Sequence, residues 1–238
     1  MEISNRQREI LLRIVQEYIN SARPVSSRLI EAKYNLGICS AAIRIEMQRL
    51  TEMGFIFQPH TSAGRVPSDK GYRFFVDNLL DEGALETEDI SEIKNIFQKK
   101  QKNIFGLAEE VARFLAQRSA GLVVLEILKG GFFWKEGWEE IVREPEFERR
   151  DILLEFTELL KDFEKEIKKL KPKRFPMVYI GQECPFSKGR NFSIILTRCC
   201  FYKSQEIVIS LLGPKRMNYN RNIGLIYSLA KLNDEQEK

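Results

Sequence analysis

Two clusters of side chains in the first eighty residues have the types and spacing to meet a polyanion. The first is Ser40, Ala41, Arg44, Ile45, Gln48 and Arg49, which share a face if residues 40–53 are helical. A guanidinium fork fits a guanine edge or a phosphate, and a small residue such as Ala41 lets a backbone come close. The second is the run His60-Thr61-Ser62 followed by Arg65, Lys70 and Arg73. Its three cations suit backbone phosphates, and its small polar residues suit a loop tip. Hydrolytic and metal chemistry have much less to draw on. His60 is the only histidine, and Cys39, Cys184, Cys199 and Cys200 contain no C-x-x-C spacing. No paired carboxylates, nucleophile elbow or phosphate loop stands out. The expectation is therefore a non-enzymatic chain with no metal and no cofactor.

The elements that must position these clusters can be read in order. Asn5 is a plausible N-cap for a helix over 5–22, with Ile10, Leu11, Ile14, Val15, Tyr18 and Ile19 on one stripe. Ser26 and Ser27 cap a short helix over 28–34 that is expected to bury Leu29 and Ile30. After a turn at 35–37, a third helix over 40–53 stops at Gly54, with Ile43, Met47 and Leu50 facing inward. Residues 55–57 read as a strand leading to a wing tip bracketed by Pro59 and Pro67, where Gly64 permits a sharp turn. Ser68 then caps a helix whose apolar residues are Tyr72, Phe75, Val76 and Leu79, with Lys70 and Arg73 on another face. Helix, helix, turn, helix, strand and wing together make a winged helix-turn-helix. That motif sets the helix after the turn into the major groove of double-stranded DNA.

These same residues carry a resemblance. The stretches ISNRQREILLRIVQEYINSARPVSSRLI, GICSAAIRIEMQRLTEMGFI and, most specifically, QPHTSAGRVPSDKGYRFFVDNLL closely resemble the HrcA family of bacterial heat-inducible transcription repressors. The resemblance implies a winged helix over 1–80 that binds an inverted repeat, the CIRCE operator, ahead of chaperone operons. It also implies a homodimer and the chaperonin as a modulator of activity. Where this chain has Ala42-Ile43-Arg44-Ile45, the family usually has threonine followed by Ile-Arg-Asn. The exchange bears on which operator sequence is read.

Composition frames the remainder. With 43% hydrophobic and 30% charged residues, the chain can bury a core and stay soluble. No apolar run is long enough to span a bilayer, and the opening Met-Glu-Ile-Ser-Asn has no signal-peptide character, so a cytoplasmic location is expected. Residues 1–80 hold 11 Lys/Arg against 8 Asp/Glu, and the remainder 27 against 26, so the basic bias sits at the front. Residues 81–90 read as an acidic linker. Residues 91–238 read as an α+β domain: a long helix over 91–118 interrupted at 99–102, a buried strand over 121–128, and a charged helix over 151–171. Strands over 177–180, 192–202 and 206–212 and a last helix over 219–232 complete it. The segments YIGQECP at 179–185 and LGPKRMNY at 212–219 extend the resemblance, which implies a GAF-like domain supporting dimerisation. An insert that the family carries is missing here, or reduced to FFWKEGW at 132–138. Trp134, Trp138 and Tyr179 leave a second reading open: a small-molecule-sensing winged-helix regulator with its ligand in this domain. Aromatics at such spacing more often build core.

Overall fold

The computed structural model describes residues 3–78, 87–99, 103–173, 175–201 and 205–236. The chain divides into two compact units, Met1–Leu80 and Asp81–Lys238. Residues 81–86 of the expected linker lie outside the described residues, and 87–90 already belong to the first helix of the second unit.

In the first unit α1 (Asn5–Ser21), α2 (Ser27–Lys33) and α3 (Ser40–Glu52) precede a small hairpin, β1 (Ile56–Phe57) and β2 (Val66–Pro67), and then α4 (Asp69–Asn78). The cap of α1 is Ser4 and not Asn5. Its hydroxyl accepts from the Gln7 N–H at 3.3 Å while the Gln7 side chain accepts from the Ser4 N–H at 3.0 Å, a reciprocal box that outcompetes a single Asn cap. Ile10, Leu11, Ile14 and Val15 are fully buried, as are Ile30 of α2 and Ile43 and Leu50 of α3. Leu29, expected inside, is exposed at 39% because a seven-residue helix packed on one side has room for only one inward apolar position here. The hairpin pairs Ile56 with Pro67 and Phe57 with Val66. Its returning arm is fastened by two backbone hydrogen bonds between Val25 and Arg65, 2.9 and 2.7 Å. Gly64 is needed for this approach, since a Cβ there would overlap the Val25 backbone. Ser68 caps α4 by accepting from the Gly71 N–H at 3.1 Å and donates to the Gly54 carbonyl at 2.6 Å, joining the start of α4 to the end of α3.

The second unit is α+β. Its helices are α5 (Thr87–Gln98), α6 (Ile104–Ser119), α7 (Trp138–Val142), α8 (Arg150–Glu166) and α9 (Tyr219–Gln236). Its strands are β3 (Leu122–Ile127), β4 (Phe132–Glu136), β5 (Met177–Ile180), β6 (Phe192–Phe201) and β7 (Gln205–Pro214), antiparallel in the order β4-β3-β7-β6-β5. One face of the sheet packs on α8, with Leu122, Val124, Ile194, Leu196, Val208 and Leu212 against Phe156, Leu159 and Phe163. On the other side α6 packs on β3 and β4, and α9 on β6. Asp89, almost fully buried, ties α5 to its neighbours through Arg118 of α6 and Arg221 of α9, both at 3.2 Å.

Three expectations change here. The long helix over 91–118 is two helices, and α6 starts afresh at Asn103, whose side chain accepts from the Gly106 N–H at 3.0 Å. Part of the lysine run between them, residues 100–102, lies outside the described residues. FFWKE, read above only as part of a reduced insert, forms β4, folded back on β3 by Gly130 and Gly131, both at positive φ. The charged helix ends at Glu166, and Ile167–Leu170 tightens into a 3-10 turn.

Candidate nucleic-acid interface

The geometry of α3 follows from its burial. Ile43, Glu46, Met47 and Leu50 face inward, leaving Ala41, Arg44, Ile45, Gln48 and Arg49 exposed, with Ser40 and Ala42 half-buried. Ile45 is 56% exposed although apolar. Glu46 is the unexpected inward residue. It accepts from Gln7 Nε2 of α1 at 2.9 Å and from Arg49 Nη1 at 2.8 Å. That pair holds Arg49 against one flank of the helix. Gln48 Nε2 donates to Glu52 at 3.1 Å one turn on, an exposed contact that competes weakly with water.

The wing tip is ordered by its own hydrogen bonds. Gln58 Nε2 donates to the carbonyls of Thr61 and Ala63, at 2.8 and 2.9 Å, and the Ala63 N–H donates to the His60 carbonyl at 2.9 Å. His60 Nδ1 lies 3.3 Å from Ser62 Oγ. His60, Thr61 and Ser62 are all exposed. Gln58 is thus a positioning residue that the sequence placed in the loop without a role.

Arg65 does not extend from the wing into solvent. It lies back toward α3, half-buried, with Nε donating to Thr51 Oγ1 at 3.1 Å. Burial, and then the nearby charge of Arg44, lower its pKa from the ordinary arginine value. Around these two guanidiniums is a hollow of about 450 Å³, walled by the wing, α3 and the start of α2. It gathers Arg44, Thr61, Ser62 and Arg65 from the expected residues and adds Ser26 and Arg28. Arg28 was missed. Its only sequence signal was a position beside a helix cap, and its neighbours come from the folded-back wing.

Lys70 and Arg73 are elsewhere. Lys70 Nζ donates to the Met53 carbonyl at 2.8 Å and stands 4.4 Å from the Phe55 ring centre, so its charge meets the C-terminal end of α3. Arg73 pairs with Asp77 along α4 at 3.2 Å. The structure therefore brings the wing and α3 residues together and leaves these two cations on α4.

The three aromatics of the second unit do not converge. Trp134 stands opposite Leu125 on β4, and Tyr179 lies on β5 at the other edge of the sheet. Trp138 packs edge-on to Phe156 at 6.4 Å between ring centres. It lines a shallow hollow of about 410 Å³ with Arg113, Lys135, Glu136, Glu139 and Glu140, without the other two. Among the described residues no group of three His, Cys, Asp or Glu is placed to hold a metal ion, and no helix is long and apolar enough to cross a membrane.

Comparison with known proteins supplies independent context. The family model described as HrcA protein C terminal domain matches residues 75–223. The heat-inducible transcription repressor HrcA of Symbiobacterium thermophilum is 38% identical over 156 residues, 66% of this chain and 45% of that protein. The protein of the same name from Carboxydothermus hydrogenoformans is 47% identical over 114 residues, 48% of this chain and 33% of its own length. The matched stretches thus span less than half of these relatives. A crystal structure described as that of a hypothetical protein superposes with a TM-score of 0.81, at 21% identity and with 98% of both chains covered, a likeness of fold.

Proposed function

The chain belongs to the HrcA family, and from that premise we propose that it is a DNA-binding transcriptional repressor of heat-shock, chaperone-encoding genes. In this reading it works in the cytoplasm, without catalysis, as a homodimer on an inverted-repeat operator of the CIRCE type. The observation that carries it is the exposed face of α3 standing beside a self-ordered wing. Ile43, Met47 and Leu50 consume the apolar side of the helix. What remains outward, Ala41, Arg44, Ile45, Gln48 and Arg49, is small, amide or cationic apart from Ile45, a set suited to a groove. The relatives named as heat-inducible repressors support the regulated class. Heat then acts through the repressor's own marginal stability, with the chaperonin as modulator. The small-molecule reading loses its support, because the hollow lined by Trp138 includes neither Trp134 nor Tyr179, which lie on opposite edge strands of the sheet.

The test is a titration at fixed salt of a duplex carrying the inverted repeat against a scrambled duplex of the same composition. Binding to the repeat should be tighter by about a thousandfold or more. Equal affinities would remove sequence-specific repression from consideration.

A further inference from the structure

The exposed face of α3 is not uniform. At 100° per residue, Ala41, Ile45 and Gln48 (i, i+4, i+7) form its central stripe. Arg44 and Thr51 (i, i+7) lie on the flank turned to the wing, with buried Met47 behind them, since Arg44 and Met47 line the hollow and Thr51 receives Arg65. Arg49 is on the opposite flank, paired with Glu46. Arg44 therefore belongs geometrically with Arg65 and Arg28 and not with the stripe.

The hollow has the character of an oxyanion seat. Three arginines from three separate segments line it, with Ser26, Thr61 and Ser62, and none of its lining residues is acidic. Arg65 is oriented by its Nε bond to Thr51, which directs the rest of the fork to other acceptors. Burial first, and then the like charge of Arg44, lower the affinity of Arg65 for its proton, and an anion between the two arginines relieves their repulsion. The walls are also held in register. The paired hydrogen bonds between Val25 and Arg65 fasten the wing arm to the segment leading into α2, and Gly64 permits the contact. A seat that is already assembled binds without a further ordering cost.

The geometry points to this hollow as the seat of a single DNA backbone phosphate, clamped jointly by Arg28, Arg44 and Arg65, with base reading left to the Ala41-Ile45-Gln48 stripe. This inference rests on the DNA-binding reading above and assigns Arg44 a backbone role and Arg28 a place in the interface.

The experiment uses the full chain on inverted-repeat duplexes in which one phosphate at a time is replaced by a neutral methylphosphonate. One position in each half-site should weaken binding by the unmodified chain. Arg28→Ala and Arg44→Ala should each lose sensitivity at that same position, while Arg44→Lys retains it. Each alanine variant should flatten the slope of log affinity against log salt by about 0.9 and leave selected base preferences unchanged. Gln48→Ala should do the reverse. Circular dichroism confirms that each variant is folded. Different phosphate positions for Arg28 and Arg44, or an altered base preference with an unchanged salt slope in Arg44→Ala, would overturn the shared clamp. If inorganic phosphate binds the chain without displacing DNA, the seat belongs to a free anion and the proposal fails. Failure of the unmodified chain to bind any duplex would instead reject the DNA-binding reading, and the clamp with it.

Discussion

The hollow beside α3 and the hollow beside β4 are close in size, about 450 and 410 Å³, yet their linings are opposite in kind. The first collects Arg28, Arg44 and Arg65 with hydroxyls and no carboxylate. The second sets Arg113 and Lys135 against Glu136, Glu139 and Glu140, and Lys135 is also paired with Glu164 of α8 at 2.7 Å. Charges that neutralise one another on the spot leave little field for a ligand, whereas like charges held together keep their field until an anion arrives. The difference in overall charge between residues 1–80 and the remainder is only slight. Local arrangement, far more than composition, distinguishes a binding surface from a structural one.

The sharpest way to separate the two units is to damage each core alone. Phe156→Ala should have the largest effect. Its ring is fully buried among Phe147, Phe192 and Trp138, and truncation costs about 3–5 kcal/mol. Both tryptophans, Trp134 and Trp138, lie in the second unit, so their fluorescence reports its unfolding directly. The midpoint should fall markedly while the α3 and wing residues keep their arrangement. Gly71→Ala should do the converse at somewhat smaller cost. The new Cβ would overlap the Phe55 carbonyl oxygen, which is backbone and cannot swing away, so α4 must shift at about 1–3 kcal/mol. DNA affinity should drop, with the tryptophan transition nearly unmoved. A large shift of that transition would show the units to be one cooperative body.

Ile45→Asn addresses the stripe. It should alter preference at one base pair of each half-site by about 1–3 kcal/mol, and leave the salt slope alone because no charge changes. Operators selected with both proteins would show this, and identical preferences would take Ile45 away from the base edges. Lys70→Ala should have a smaller effect, roughly 0.3–1 kcal/mol of stability, from the lost cation at the carbonyl end of α3.

Two carboxyls, one in each unit, should respond to acid in opposite directions. Burial raises the Glu17 pKa, but hydrogen bonds from Lys33 and Tyr34 prevail and hold it below its ordinary value of 4.5. Its contribution is present above that value and is lost as pH falls through the lower folded pKa. Tyr34, buried against that carboxylate, is pushed up to about 12. Burial raises Glu144 above 4.5 despite Arg216. Its folded pKa being the higher one, stability is greatest below 4.5 and declines as pH rises through the folded value. Glu17→Gln should flatten the acid limb of the first unit, and Glu144→Gln should remove the opposing contribution of that carboxyl in the second. Unchanged limbs in both variants would mean these carboxyls titrate alike folded and unfolded.

What the sequence disclosed depended on how local the physics was. The inward stripe of α3, the Ser68 cap and the strands β5, β6 and β7 follow from period and turn chemistry within a few residues, and they stand where expected. The boundaries of α1 and α6 turned on which neighbouring polar residue caps better, Ser4 with Gln7 or Asn103, a competition the pattern alone does not decide. β4 escaped because FFWKE has no clean alternation; it is a strand through its pairing with β3. Arg28 and the inward turn of Arg65 were hidden for the same reason at longer range. Both depend on the Val25–Arg65 contact, forty residues apart in the chain and made possible by Gly64.

On this reading DNA is met by the first unit alone, along the α3 stripe, the wing and the hollow between them. Backbone amide hydrogen exchange, measured with and without the inverted-repeat duplex, tests this most directly. Slowed exchange is expected at residues 25–28, 41–49 and 60–65 and none at residues 113–140. Protection of 113–140 with residues 41–49 unchanged would contradict it.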